Sequence, residues 1–430
     1  MKKRKKGPSE TQRKKLAAAH ARHEFFARLK NLCKVLGVAE VYDMIPLSQH
    51  DALYGMRFQS PRVLVAEGAE VAIEVLNDVR KVYSEIYKSF MVAVLKNGPE
   101  ISLLDYVTVH QTLIHFSSLT KNKDSDLAHK DAITKVMTPF VDYYASESEN
   151  KAILMQAVML TVSEIESDIR SVIYWLCFDQ IIDNYNGKMG VYSFIYIHSH
   201  APEKKNFIID QVSRPAIRIG WGMPGKNTKF TYVNLPAEKI RSDIKFNHPG
   251  FNVYIQSHAL QRLIERLDGL MPGSVYFALY LSVTVDLEIQ WDKKGNLLLA
   301  MFIWGKKVGY LFADIFDSSV VIRSFLFLTY CGTPEGDKLL ALTGLAKEDT
   351  KYLQIDKLST FLVSDIHSNQ KVKDIFIQVG CGSLFELDKG MLMKHSSDNT
   401  KPKADMILEY LGLNKTDDNY EDYEEDTDDS

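Results

Sequence analysis

Ser257–Leu267 reads SHALQRLIERL, with the residue spacing of a two-faced helix. At about 100° per residue, Leu260, Leu263, Ile264 and Leu267 gather on one side, while His258, Arg262, Glu265 and Arg266 gather on the other. Ser257 occupies the N-cap position, and Gly269 and Pro272 supply the stop. Short β-branched or aromatic runs precede this helix at Val191–Ile197, Ala216–Ile219, Lys229–Val233 and Asn252–Ile255. A second helix over Gly273–Val283 follows it, then strands over Leu287–Trp291, Leu297–Trp304, Val308–Ile315 and Val320–Tyr330. Turn residues at Lys293–Asn296, Gly305–Lys307 and Asp317–Ser319 join these strands. That order predicts an antiparallel meander packed on one or two helices. Thr333-Pro334 opens a further helix through Leu342 that ends at Gly344, and two or three short helices fill Lys347–Val379.

The N-terminal half has a different texture. Thr11–Leu36 is rich in helix formers, and Phe25, Phe26, Leu29 and Leu32 begin an apolar stripe. Leu76, Val79, Tyr83, Ile86 and Phe90 recur at helical spacing, Asn97-Gly98-Pro99 stops that helix, and Ser102 caps the next through about Ser118. Asp124–Tyr144 is a helix interrupted by Pro139. Asn150–Cys177 keeps the helical period through Leu154, Val158, Val162, Ile165, Ile169, Val172 and Leu176. At Asn184–Gly190 turn residues take over. The chain therefore reads as an α+β protein: an N-terminal helical bundle followed by a domain with an antiparallel β-meander packed on helices. Its parts are a disordered basic tail over residues 1–15, the bundle over 16–185, the α+β domain over 186–385, and an extended region over 386–430 with a disordered acidic tail.

With 430 residues, 46% of them hydrophobic and 25% charged, the chain is long enough for two or three domains with proper cores. No window reaches the roughly 20 apolar residues that a bilayer requires, which excludes a membrane partner by this reading. No apolar run follows the basic N-terminus, so a secretory signal is not expected and the chain is placed in the cytoplasm. Cys33, Cys177, Cys331 and Cys381 lie singly, without the spacing of a disulfide framework or a zinc knuckle. The net charge of −3 hides an asymmetry: Lys2–Lys6 is basic, whereas Asp417–Ser430 is almost wholly acidic. A KKRKK cluster suits nucleic acid, although a solvated tail is the commoner role of such a run.

Three motifs have plain structural readings. Gly220–Lys226 fits the bare GxxxxGK spacing of a phosphate loop, but Asn227 replaces the expected Ser or Thr and Thr228–Val233 continues as a strand, so an irregular turn is expected. His198 and His200 share one face of a strand without a further ligand near in sequence. His110 and His115 are spaced too far apart to meet on a helix. No cofactor or metal is expected.

The polar face of Ser257–Leu267 is the candidate site. A histidine in the first turn suits proton transfer near neutral pH, and two arginines one and two turns on can grip a phosphate with a carboxylate between them. The bland account is a solvated face with an Arg262–Glu265 ion pair. The run His258-x-x-x-Arg262-x-x-Glu265-Arg266, followed by a meander ending in Val320-Val321-Ile322-Arg323-Ser324-Phe325-Leu326, resembles small bacterial ribonuclease toxins of the BrnT and RelE-like type over residues 252–326. The resemblance implies metal-independent RNA cleavage by attack of the ribose 2′-hydroxyl. It casts His258 as acid or base, Arg262, Arg266 and Arg323 as stabilisers of phosphate charge, and Glu265 as their orienting group. Two readings stand: an RNA-binding or ribonuclease-like protein, and a non-enzymatic scaffold whose helical bundle binds a protein partner.

Overall fold

A computed structural model describes residues 9–120, 129–185, 188–226, 228–240, 249–292, 294–387 and 404–411. The Lys2–Lys6 cluster and the Asp417–Ser430 stretch lie outside the described residues. The chain divides into two compact units. One takes the described parts of 1–166, 174–200 and 222–229; the other takes 167–173, 201–221 and the described parts of 230–430. Secondary structure is α+β, with helices concentrated before residue 166.

In the first unit, helix Glu10–Val35 starts inside the segment expected to be a disordered tail. Ser9 and Gln12 form a reciprocal capping box there, satisfying two orphan N–H groups and fixing the start. Phe25, Leu29, Leu32 and Cys33 are its buried stripe. Helix Ile73–Ser89 buries Leu76, Val79, Tyr83 and Tyr87 at helical spacing. Ser102 caps a short helical turn, as expected, by accepting from the Asp105 N–H. The chain then widens into a π-helical turn at Tyr106–His110 before helix Gln111–Thr120. Helices Lys130–Ser146, which contains Pro139, and Ser148–Glu166 follow.

The helix expected over Asn150–Cys177 ends at Glu166, and Ile173–Tyr185 is a strand. Asp168 causes the break: its carboxylate accepts from the Arg170 N–H and the Ser171 hydroxyl, turning the chain at once. Ile173 through Cys177 are then buried in succession, as in a strand covered on both faces. Such an unbroken apolar run also satisfies a helical period, which is why the two were indistinguishable by spacing. This strand and Lys188–His200 form a three-stranded sheet with Arg62–Val65, which pairs in parallel from Arg62↔Phe194 to Val65↔Ile197. The helical N-terminal region thus shares its unit with a small sheet, and the change of texture near 183–187 falls inside that unit.

In the second unit, strands follow the spatial order Ile289–Trp291, Leu297–Ile303, Lys306–Phe316, Ser319–Phe327, Gly250–Gln256, Val212–Arg218, Lys204–Ile209. The first four form the expected antiparallel meander. Gly250–Gln256 then pairs in parallel with Ser319–Phe327, because the chain reaches the meander only after crossing over through two helices. Phe207, Ala216, Tyr254 and Val321 cluster on one face. Val253, Ile255, Val320 and Ile322 point to the other and are fully buried. Helix Ser257–Arg266 packs on Ser319–Phe327, and helix Pro272–Ser282 on Leu297–Ile303. Thr333 caps helix Pro334–Thr343 and Gly344 ends it at a φ of +74°. Ala404–Tyr410, expected to be extended, is a short helix that buries Ala404, Ile407 and Leu408.

Candidate functional site

Helix Ser257–Arg266 buries Ala259, Leu260 and Leu263, and Leu267 beyond its last turn is buried too. Each buried leucine contributes about 1.5–3 kcal/mol, so the apolar side sets which way the polar side must face. Gln256 rather than Ser257 is the N-cap, because Gln256 is still held in the sheet opposite Ala216 and the helix starts directly after it. No side chain caps this end, so first-turn N–H groups that lack an intrahelical partner are left with their partial positive charge.

A cleft of about 440 Å³ opens at this helix end, lined by Ile209, Arg214, Pro215, Gln256, Ser257, His258, Arg262 and Arg323. The structure therefore brings together three of the five expected residues: His258, Arg262 and Arg323. Arg262 donates to the Ser324 hydroxyl at 2.9 Å. Arg323 reaches the cleft through a β-bulge: Phe312 pairs with Ser324 and Ala313 with Ile322, leaving Arg323 without an opposite residue. Its guanidinium is matched by Asp314 at 2.5 Å and Asp210 at 2.8 Å, so it adds shape more than free charge. Asp210 belongs to the tight turn Asp210-Gln211, where both residues have positive φ.

The other two expected residues are elsewhere. Arg266 forms an ion pair with Asp356, whose side chain is only 4% exposed. Nearby, Asp268 accepts from the Ser359 N–H and hydroxyl, so the far end of the helix is tied to the 354–359 segment. Burial lifts the Asp356 carboxyl above its usual range, against the pull of Arg266. Glu265 accepts from Gln261, which in turn accepts from Arg170. It orients neither arginine, and the expected Arg262–Glu265 pair does not form.

Two cleft residues were missed in the sequence. Arg214, exposed on strand Val212–Arg218, makes no ion pair among the described residues. Gln256 is 8% exposed, and its Nε2 lacks a hydrogen-bond partner. The signal for Gln256 was a polar residue between a buried strand and an uncapped helix; Arg214 had none, since its place depends on register.

The phosphate-loop spacing at Gly220–Lys226 has a packing explanation. A Cβ on Gly220 would fall 2.6 Å from the Phe230 ring, and one on Gly225 2.8 Å from the Thr228 side chain. His198 stacks on Trp175 with centroids 5.0 Å apart. Burial lowers the pKa of both His198 and His200. Among the described residues no group of three or more His, Cys, Asp or Glu side chains could hold a metal ion, and all four cysteines are free. No helix among them is long and apolar enough to cross a membrane. The chain matches no protein-family model, no curated protein and no solved structure.

Proposed function

We propose that the cleft at the start of helix Ser257–Arg266 binds the phosphodiester backbone of single-stranded RNA. The observation that carries this reading is the convergence of the Arg214 and Arg262 guanidinium groups, the uncapped helix end and the unpartnered Gln256 amide on one cleft, with the charge-matched Arg323 shaping its wall. Guanidinium groups and free N–H groups at a helix start are both oxyanion ligands, and neither demands a particular base. RNA as the polymer follows from the local resemblance to ribonuclease toxins.

Binding is favoured over cleavage. Attack by a 2′-hydroxyl needs one group to take a proton and another to give one. His258 is the one imidazole among the residues lining the cleft, and no carboxylate is among them to act as its partner in proton transfer. With Glu265 and Arg266 engaged elsewhere, the set of groups implied by the resemblance is incomplete.

Fluorescence anisotropy with a short labelled RNA tests this. The wild type should bind at low salt. The Arg214→Gln/Arg262→Gln variant should lose about tenfold or more in affinity and flatten the log–log salt slope by about 1.4, the value for two contacts on a single strand. His258→Ala should bind as the wild type does, and neither protein should cut the strand. An absence of binding at low salt, or an unchanged slope in the double variant, would reject the proposal.

A further inference from the structure

The first unit contains a second cavity of about 440 Å³, lined on its apolar side by Tyr87, Val107, Met155, Met159 and Phe178. Lys151, Met155 and Met159 stand at i, i+4 and i+8 of helix Ser148–Glu166, so one stripe of that helix faces the empty volume. Val107 and Gln111 reach the same space from the π-helical turn and the helix after it. Wide turns of this kind recur at binding sites because they displace side chains from ordinary helical register.

Lys151 forms no ion pair among the described residues. Its Nζ donates to the Tyr144 carbonyl and sits 3.5 Å from the centroid of the Tyr144 ring. The other cationic side chain of the cavity, Lys226, is already matched by Asp179 at 3.3 Å. Desolvation lowers the Lys151 amine to about 8, with Glu147 pulling the other way, so it stays mostly charged at neutral pH. Beside it lie further unsatisfied groups: both ring nitrogens of His110 and the Tyr106 hydroxyl are buried without a hydrogen-bond partner. The two rings stack with centroids 5.2 Å apart.

We propose that this cavity binds a medium-chain monocarboxylate, with Lys151 receiving the carboxylate and Met155, Met159 and Phe178 covering the apolar chain. A single charge on the ligand matches the single unpaired ammonium. A phosphate dianion would need a second cation that Asp179 already occupies. Methionines suit such a tail, since their flexible thioethers repack around chains of differing shape. A bound carboxylate would also supply the counter-ion and return the amine toward its ordinary proton affinity.

Isothermal titration of the full chain with octanoate, and with octanol as its neutral counterpart, tests the assignment. Octanoate should bind at least tenfold more tightly than octanol. Lys151→Met should reduce octanoate to the octanol level while leaving octanol affinity unchanged, which also reports an intact cavity. Met159→Trp, which fills the space, should abolish both. At pH 8, heats measured in buffers of different ionisation enthalpy should reveal uptake of roughly half a proton with octanoate and none with octanol. Equal affinity for the two ligands, failure of both to bind at millimolar concentration, or full octanoate affinity in Lys151→Met would overturn it.

Discussion

In the second unit, Arg214 and Arg262 stand exposed around a cleft, whereas in the first Lys151 lies half-buried against the Tyr144 ring with two methionines of its own helix. The arginines act collectively, by being gathered at one helix end. Lys151 acts singly, and its surroundings change its proton affinity. Exposed charge thus gains specificity by convergence, while half-buried charge gains it from the absence of a partner. The same contrast runs along one helix: Arg262 is exposed beside Ser324, and two residues past Ile264 Arg266 is paired with the buried Asp356.

The largest expected effect separates those two arginines. Asp356→Ala should cost about 2–3 kcal/mol of unfolding free energy, somewhat below the range for fully buried pairs because Arg266 retains 21% of its side-chain exposure. Arg262→Ala should stay within about 0.5 kcal/mol. Urea denaturation of both variants measures this, and equal losses would erase the distinction between a structural and a ligand-facing arginine.

A second effect probes burial in the first unit. Desolvation, aided by Lys151, lowers His110 from 6.5 to about 3. Its native pKa lies below its unfolded one, so the unfolded chain binds the extra proton between those values and stability falls as pH drops through that window. The slope attributable to this residue is about 1.4 kcal/mol per pH unit. His110→Phe should flatten the pH dependence of unfolding between pH 4 and 6 by about that amount, and an unaltered slope would mean that His110 is hydrated in the native state.

The smallest effect is a negative one. Glu265→Gln should leave RNA affinity within about twofold, because Glu265 holds Gln261 rather than an arginine of the cleft. A tenfold loss would restore its role as an orienting group.

Much of the local architecture was legible from spacing alone. The two-faced helix, the strands of the meander with their turns, and the Thr333 and Gly344 helix boundaries appear close to where the pattern put them. These features depend on residues within a turn or two of one another, and such short-range preferences are written directly in the chain. Tertiary structure decided what the pattern left open. Ile173–Cys177 became a strand because partners on both faces bury it. Arg266 left the polar face for Asp356, 90 residues further on, while a one-residue bulge and a distant strand brought Arg323 and Arg214 to the cleft. Pairing register and long-range burial depend on the whole sheet closing at once, and no local spacing encodes that.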